Sequence, residues 1–293
     1  MVKDVGFYIA NLKQLNRNQS KMLISSRLED YLSKVSSGVI KASKSDGLFG
    51  YPYVVKDNFC TKDFSTTSGS KFLHNFHPCY NSFVVERIET HLGCFLIGKA
   101  NLDEFGCGGL GKNSAFGEIV NPFQLKKSGE KCCVGGSSSG SAAMVSADYS
   151  LAYPDARDGT LEYIDGDPLQ KPLENYKKHA VNVKVLYPNN LNHILDSEIQ
   201  QEFVEFLTKV ENKGVNVQKI NIEGFEYLNE LYECLVAVDF ASNMSKMNSI
   251  AFGGYKDLKP DENIFEKINE SRANLLGDKV KSRIIVGKAL GIQ

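Results

Sequence analysis

The sequence predicts an α/β protein built on a parallel sheet. Its first support is an order repeated in both halves of the chain. "YVVK", "SFVVERIETHLG" and "CFLIGK" alternate apolar, amphipathic and apolar, and so do "VNVKVLYP", "DSEIQQEFVEFLTKVENKG" and "VNVQKINI". Strand–helix–strand order at these lengths implies a crossover connection and parallel pairing. The second support is composition. With 42% hydrophobic and 24% charged residues over 293 positions, the chain has the make-up of a globular protein of one large domain or two ordinary ones.

Taken in order, residues 22–40 place Ile24, Leu28, Leu32, Val35 and Val39 at helical spacing, which predicts an amphipathic helix. Tyr53 to Lys56 read as a strand that ends in polar residues. The helix beginning near Ser82 is closed by Gly93, the usual C-terminal residue, and "CFLIGK" is the strand after it. "AAMVSA" after Ser141 is a small-residue helix with serines placed to cap its start. In the second half, Asp196 caps a helix that Gly214 stops, between strands near 181–188 and 215–222. Residues 153–179 are polar and aperiodic, longer than loops inside compact domains usually run. No internal repeat is visible.

Charge and cysteines exclude several function classes. With 34 basic and 35 acidic residues the net charge is −1, unlike the basic footprint of a general nucleic-acid binder. A local basic patch remains between residues 3 and 44, with Lys3, Lys13, Arg17, Lys21, Arg27, Lys34, Lys41 and Lys44. The seven cysteines are odd in number and form no C-x-x-C pair, so neither a disulfide framework nor a metal site is expected. A reducing compartment follows. No apolar run approaches the roughly 20 residues of a membrane span, and no secretory signal or clear transit peptide is seen.

Two glycine-rich loops stand out. "GCGGLGKN" (106–113) nearly matches a phosphate-binding loop, but Asn113 replaces the hydroxyl that would meet a metal ion. That loop also follows "NLDEF", a short helical segment, instead of a buried strand. "VGGSSSGSAA" (134–143) holds four serines and no lysine, more hydroxyls than a phosphate cradle needs. Upstream, Lys56 follows an apolar strand, where burial would lower its pKa. A neutral lysine can take a proton from a hydroxyl. The bland alternatives are a flexible linker for the serine tract and a solvated strand-end lysine for Lys56.

Together, "GYPYVVKDNFCTKDFSTTSGS", "SFVVERIETHLGCFLIGKANLDEF", "NSAFGEIVNPF" and "GGSSSGSAA" resemble the amidase signature family, most closely its branch of A-type glutamyl-tRNA(Gln) amidotransferase subunits. The resemblance covers residues 50–152 almost continuously and resumes from 180 to "GDKVKSRIIVGKA". It implies the amidase signature fold, a mixed central sheet covered by helices, incomplete in this chain. It also implies a single domain over 1–293, with an N-terminal helical region at 1–45, a catalytic half at 46–152, an irregular junction at 153–179 and a second α/β half at 180–293.

The family uses a Ser–Ser–Lys triad. By resemblance Lys56 is the general base and Ser137 the bridging serine, preceded by a cis peptide, while Cys107 and Gly108 line the amide pocket. Lys246 stands where the family has an arginine that grips the carboxylate of glutamine; a lysine offers a point charge in place of a two-pronged fit. The alternative for Lys246 is an ordinary surface charge. The family's nucleophile, the last residue of an Asp-Thr-Gly-Gly-Ser motif, has no counterpart, because the pattern breaks after "SADYSLA". Thr160 falls near the right spacing but lacks the glycines and is not expected to substitute.

The implied function is a glutaminase subunit that supplies ammonia for converting Glu-tRNA(Gln) to Gln-tRNA(Gln). A catalytically inactive scaffold form and a free-standing amide hydrolase are the alternatives. No cofactor is expected in this subunit. ATP and Mg belong to a kinase-like, tRNA-binding B-type partner, and a small third component completes the complex; tRNA is met mainly through the B-type partner. The N-terminal region, shorter than the bacterial pattern, points to a mitochondrial member, with the cytoplasm as the alternative.

Overall fold

The computed structural model describes residues 5–13, 21–40, 48–147, 184–190, 196–249, 252–253 and 263–291. The chain divides into two compact units, Met1–Arg157 with Ala237–Gln293, and Asp158–Val236.

The first unit opens with helix α1 (Val5–Lys13), strand β1 (Leu23–Ser26) and helix α2 (Leu28–Ser36). Strand β2 (Pro52–Lys56), helix α3 (Phe83–Leu92) and strand β3 (Phe95–Ala100) form the crossover that the sequence predicts, and β2 pairs parallel to β3. Gly93 ends α3 at φ +62, where any Cβ would collide with the Phe49 ring. Among the described residues the sheet order is β1-β3-β2, and β1 runs antiparallel to β3, so the sheet is mixed.

The first half of the helix expected over 22–40 is therefore a strand. Pairing with β3 outweighs helical periodicity here: Leu23 faces Ala100 and Ser26 faces Gly98. Gly98 makes that pairing possible, since a Cβ there would lie 2.5 Å from the Ser25 carbonyl oxygen. The helix starts only at Leu28, whose N–H donates to Ser26 Oγ at 3.1 Å.

Side chains alternate across the sheet. Tyr53, Val55 and Leu96 join Val84, Val85 and Ile88 of α3 in one buried cluster. Val54 and Ile97 join Leu28 and Tyr31 of α2, and Ala143 and Met144, in a cluster on the other side. With both faces covered, β2 and the central β3 read as nearly continuous apolar runs. Helix α4 (Pro122–Ser128) and helix α5 (Ser139–Ser146) follow. Gly140 brings the start of α5 against the end of β3: its N–H bonds the Asn101 carbonyl at 2.9 Å, and a Cβ would lie 2.5 Å from that oxygen.

In the second unit, strand β4 (Lys184–Pro188) pairs in parallel with strand β5 (Asn216–Ile220), joined through helix α6 (Ser197–Glu211). Asp196 precedes α6 without a side-chain cap bond, and Gly214 takes φ +83 just past its end. Helix α7 (Leu228–Met244) begins among the residues of this unit, and from Ala237 onward it belongs to the first. Helices α8 (Ile264–Leu275) and α9 (Asp278–Leu290) complete the first unit. There Leu276 and Val280 pack with Met244, Phe72, Leu73 and Cys107 in a third buried cluster.

Candidate active site

Lys56 is the last residue of β2, and Ser137 lies in the tract that leads into α5. The two are 81 positions apart in sequence, yet Lys56 Nζ donates to Ser137 Oγ at 2.9 Å and to Ser138 Oγ at 2.9 Å. The Gly136–Ser137 peptide is cis. Lys56 is half-buried, and burial lowers its pKa from the ordinary lysine value, opposed by the negative charge of Asp103. An ammonium with few compensating charges gives up its proton more readily than a solvated one. Both hydroxyls lie within the distance at which proton transfer works, about 2.6–3.2 Å.

Sequence reasoning misses Ser138. It occupies the N-cap position of α5 but makes no side-chain cap bond, and its hydroxyl meets Lys56 instead. Ser139 turns the other way, donating to the Gly135 carbonyl at 2.5 Å. The first three serines of the tract are thus divided, with two hydroxyls on the lysine and one bracing its own loop.

Directly after Lys56, Asp57 forms a fully buried ion pair with Lys99 of β3, Oδ1 to Nζ 3.1 Å. The ammonium also donates to the Phe59 carbonyl at 2.6 Å, Thr66 Oγ1 at 2.9 Å and Thr61 Oγ1 at 3.1 Å. With those three bonds made, its contact with Asp57 is one of charge. The other carboxylate oxygen accepts from the Thr67 N–H at 2.9 Å and from the Thr67 hydroxyl. Burial pushes Asp57 up and Lys99 down, and each opposes the other's shift.

The loop after β3 supplies the opposite wall. A Cβ on Gly106 would lie 3.6 Å from Ser137 Oγ, so this loop approaches the serine through Gly106. Cys107 points away: its thiol is buried among Phe72, Leu73, Met244, Leu276 and Val280, and burial pushes its pKa up. Gly108 lies against Asp103, where a Cβ would collide with the carboxylate. Lys246 is exposed in the turn after α7, with Nζ 3.3 Å from Asn243 Oδ1. Thr160 lies outside the described residues.

Two acids in "NLDEF" complete the surroundings. Asp103 is fully buried, and its carboxylate accepts from the Gly111 N–H at 3.0 Å and the Asn113 N–H at 2.9 Å. Those amides, which a phosphate loop would aim at its ligand, are already engaged by an internal anion. Lys112 points outward and pairs with Glu118 at 3.5 Å. Glu104 accepts from Ser70 Oγ at 2.5 Å and the Gly277 N–H at 2.8 Å, and it borders a cleft of about 340 Å³ with Lys71, Asn113 and Lys279. Burial raises its pKa. Of the short helix that the sequence suggests in "NLDEF", a single turn forms at Glu104–Gly106, with Phe105 at φ +50.

The family model for amidases matches residues 24–153 and 150–291. The chain belongs to the amidase family. The A-type subunit of glutamyl-tRNA(Gln) amidotransferase from Sulfurihydrogenibium sp. is 27% identical over 82% of this chain and 60% of its own length. Its counterpart of the same name from Mycoplasma genitalium is 26% identical over 98% of this chain and 71% of its own. The chain spans about 60% of the first of these relatives.

Among solved structures, the A-type glutamyl-tRNA(Gln) amidotransferase subunit from Thermotoga maritima superposes with TM-score 0.60 at 19% identity. The match covers 98% of this chain and 68% of that one. A 6-aminohexanoate cyclic dimer hydrolase gives TM-score 0.63 at 16% identity, covering 98% and 71%. These likenesses establish the amidase signature fold, an α/β fold with the mixed sheet described above.

Proposed function

We propose that this amidase-family chain is the A-type subunit of a glutamyl-tRNA(Gln) amidotransferase, whose task is to release ammonia from glutamine for amidating Glu-tRNA(Gln). The observation that carries the reading is the cluster of Lys56 with Ser137 and Ser138. In this reading Lys56 is the general base and Ser137 relays the proton between it and an acyl-carrying nucleophile. ATP chemistry and most tRNA contact fall to the B-type partner. The near-neutral net charge supports that division.

One observation favours a second form of the same reading. The sequence holds no Asp-Thr-Gly-Gly-Ser motif, so the base and the relay have no recognised nucleophile to serve. Losing a single oxyanion donor costs about 10²–10³ in rate, and this loss would include the nucleophile itself. The chain of 293 residues is therefore expected to bind its partners and to hydrolyse no glutamine. Co-expression with the partner subunits, followed by measurement of glutamate release, tests this. Release well above a Lys56→Ala control makes the chain a working glutaminase. A complex that forms without release makes it a scaffold, and failure to form any complex removes the amidotransferase reading.

A further inference from the structure

We propose that Asp103 is the positioning residue of this site, the internal anion around which the glycine-rich loop and the serine tract are folded so that Lys56 meets Ser137 and Ser138. The inference rests on the reading of Lys56 as the site's base.

Four contacts carry it. The two carboxylate oxygens each accept one backbone N–H, from Gly111 and from Asn113, so one side chain fixes both ends of a three-residue turn. Successive backbone N–H groups curled around an anion form a strong and directional cradle. Gly111 takes φ +74, as a cradle of this kind requires. The carboxylate is also packed from two sides by residues that cannot grow: a Cβ on Gly136 would collide with Oδ2, and one on Gly108 would lie 2.7 Å from either oxygen. Gly136 immediately precedes Ser137, so the acid lies directly under the backbone that presents the hydroxyl.

The main chain of Asp103 adds to this. Its N–H donates to the Ser137 carbonyl at 3.2 Å, and its own carbonyl accepts from the Gly106 N–H at 2.8 Å. Gly106 is the glycine of that loop that approaches Ser137 Oγ. Asp103 therefore touches the serine tract and both parts of the glycine-rich loop, and its charge acts on the Lys56 ammonium from outside hydrogen-bonding reach. A neutral amide in place of the carboxylate would remove the charge that acts on Lys56.

The test uses the full chain and reads Lys56 directly. Reactivity of Lys56 toward acetic anhydride is followed against pH by peptide mass spectrometry, for the unaltered protein and for Asp103→Asn. The expected result is a midpoint moved to lower pH in the variant, because the anion that favours the ammonium is gone. Faster amide exchange at Gly111 and Asn113 should accompany it. An unmoved midpoint overturns the proposal, whether or not exchange changes, since a purely structural acid would leave the lysine's titration alone. Should the variant fail to fold, amide exchange in the unaltered protein decides. Slow exchange at both Gly111 and Asn113 supports the cradle, and exchange as fast as at Gly109 overturns it. Because neither readout is glutamate release, an inactive complex would leave this proposal standing.

Discussion

Two lysines on neighbouring strands of one sheet meet opposite fates. Lys99 is fully buried, paired with Asp57 and bonded to three further oxygens. Lys56, on the parallel strand, faces two serine hydroxyls, and among the described residues no carboxylate pairs with it. Both lose hydration; Lys99 is compensated by its ion pair with Asp57, whereas Lys56 feels only the more distant charge of Asp103. A lysine held by a carboxylate and three further oxygens is a fixed structural cation. One with partial compensation can lose its proton without dismantling its surroundings. Because Asp57 follows Lys56 directly, the rigid pair also anchors the strand end from which Lys56 projects.

Breaking the pair should produce the largest effect. Asp57→Ala leaves Lys99 charged and buried, and removing one partner of such a pair costs about 3–5 kcal/mol. Urea denaturation should show that loss, while Asp57→Leu combined with Lys99→Met should recover most of it. A cost below about 1 kcal/mol for Asp57→Ala would mean that the two lysines differ far less than their contacts suggest.

The next effect falls on the joint between helix and sheet. Gly140→Ala forces a methyl group against the Asn101 backbone, and overpacking of this kind costs about 1–3 kcal/mol. It should also move Ser137 and Ser138 away from Lys56 and raise the exchange rate of the Gly140 amide. Unchanged stability would show that α5 can slide along the sheet edge.

Lys56 itself should matter least to folding. Lys56→Met is expected to change stability by no more than about 1 kcal/mol, with the sign set by pH. Burial lowers the folded-state pKa of Lys56 below its ordinary 10.5. Between those two values the unfolded chain binds more protons, so the unaltered protein gains stability as pH rises through that window. The variant lacks this gain. The difference between the two proteins should therefore shift in favour of the unaltered chain as pH rises toward 10.5, as thermal melts across the range can check.

Much of this arrangement is legible in the sequence, for identifiable reasons. Gly93 and the apolar runs on either side of α3 announce the crossover, because punctuation and periodicity are local. The meeting of Lys56 and Ser137 is not local, and it becomes readable only through a family resemblance. What stays hidden depends on partners distant in sequence. Strand β1 reads as helix because its Leu23 and Ser25 satisfy β3 instead of their own turn. Asp103 passes as part of a short helix because nothing near it reveals that it will hold Gly111 and Asn113. Ser138 looks like a helix cap and bonds a lysine.

That last substitution has a mechanical side. A serine that caps a helix is locked, its hydroxyl oxygen committed to an amide one turn ahead. Here α5 is held at its start by Gly140 on the Asn101 carbonyl, so the helix does not depend on the Ser138 side chain. The hydroxyl is thereby left as a rotor. It can accept from the ammonium, swing its hydrogen toward a neutral amine, and return, with no helical bond broken at any stage. Anchoring the backbone from the sheet leaves rotational freedom at a second hydroxyl beside Ser137, one that can exchange donor and acceptor roles with the same lysine.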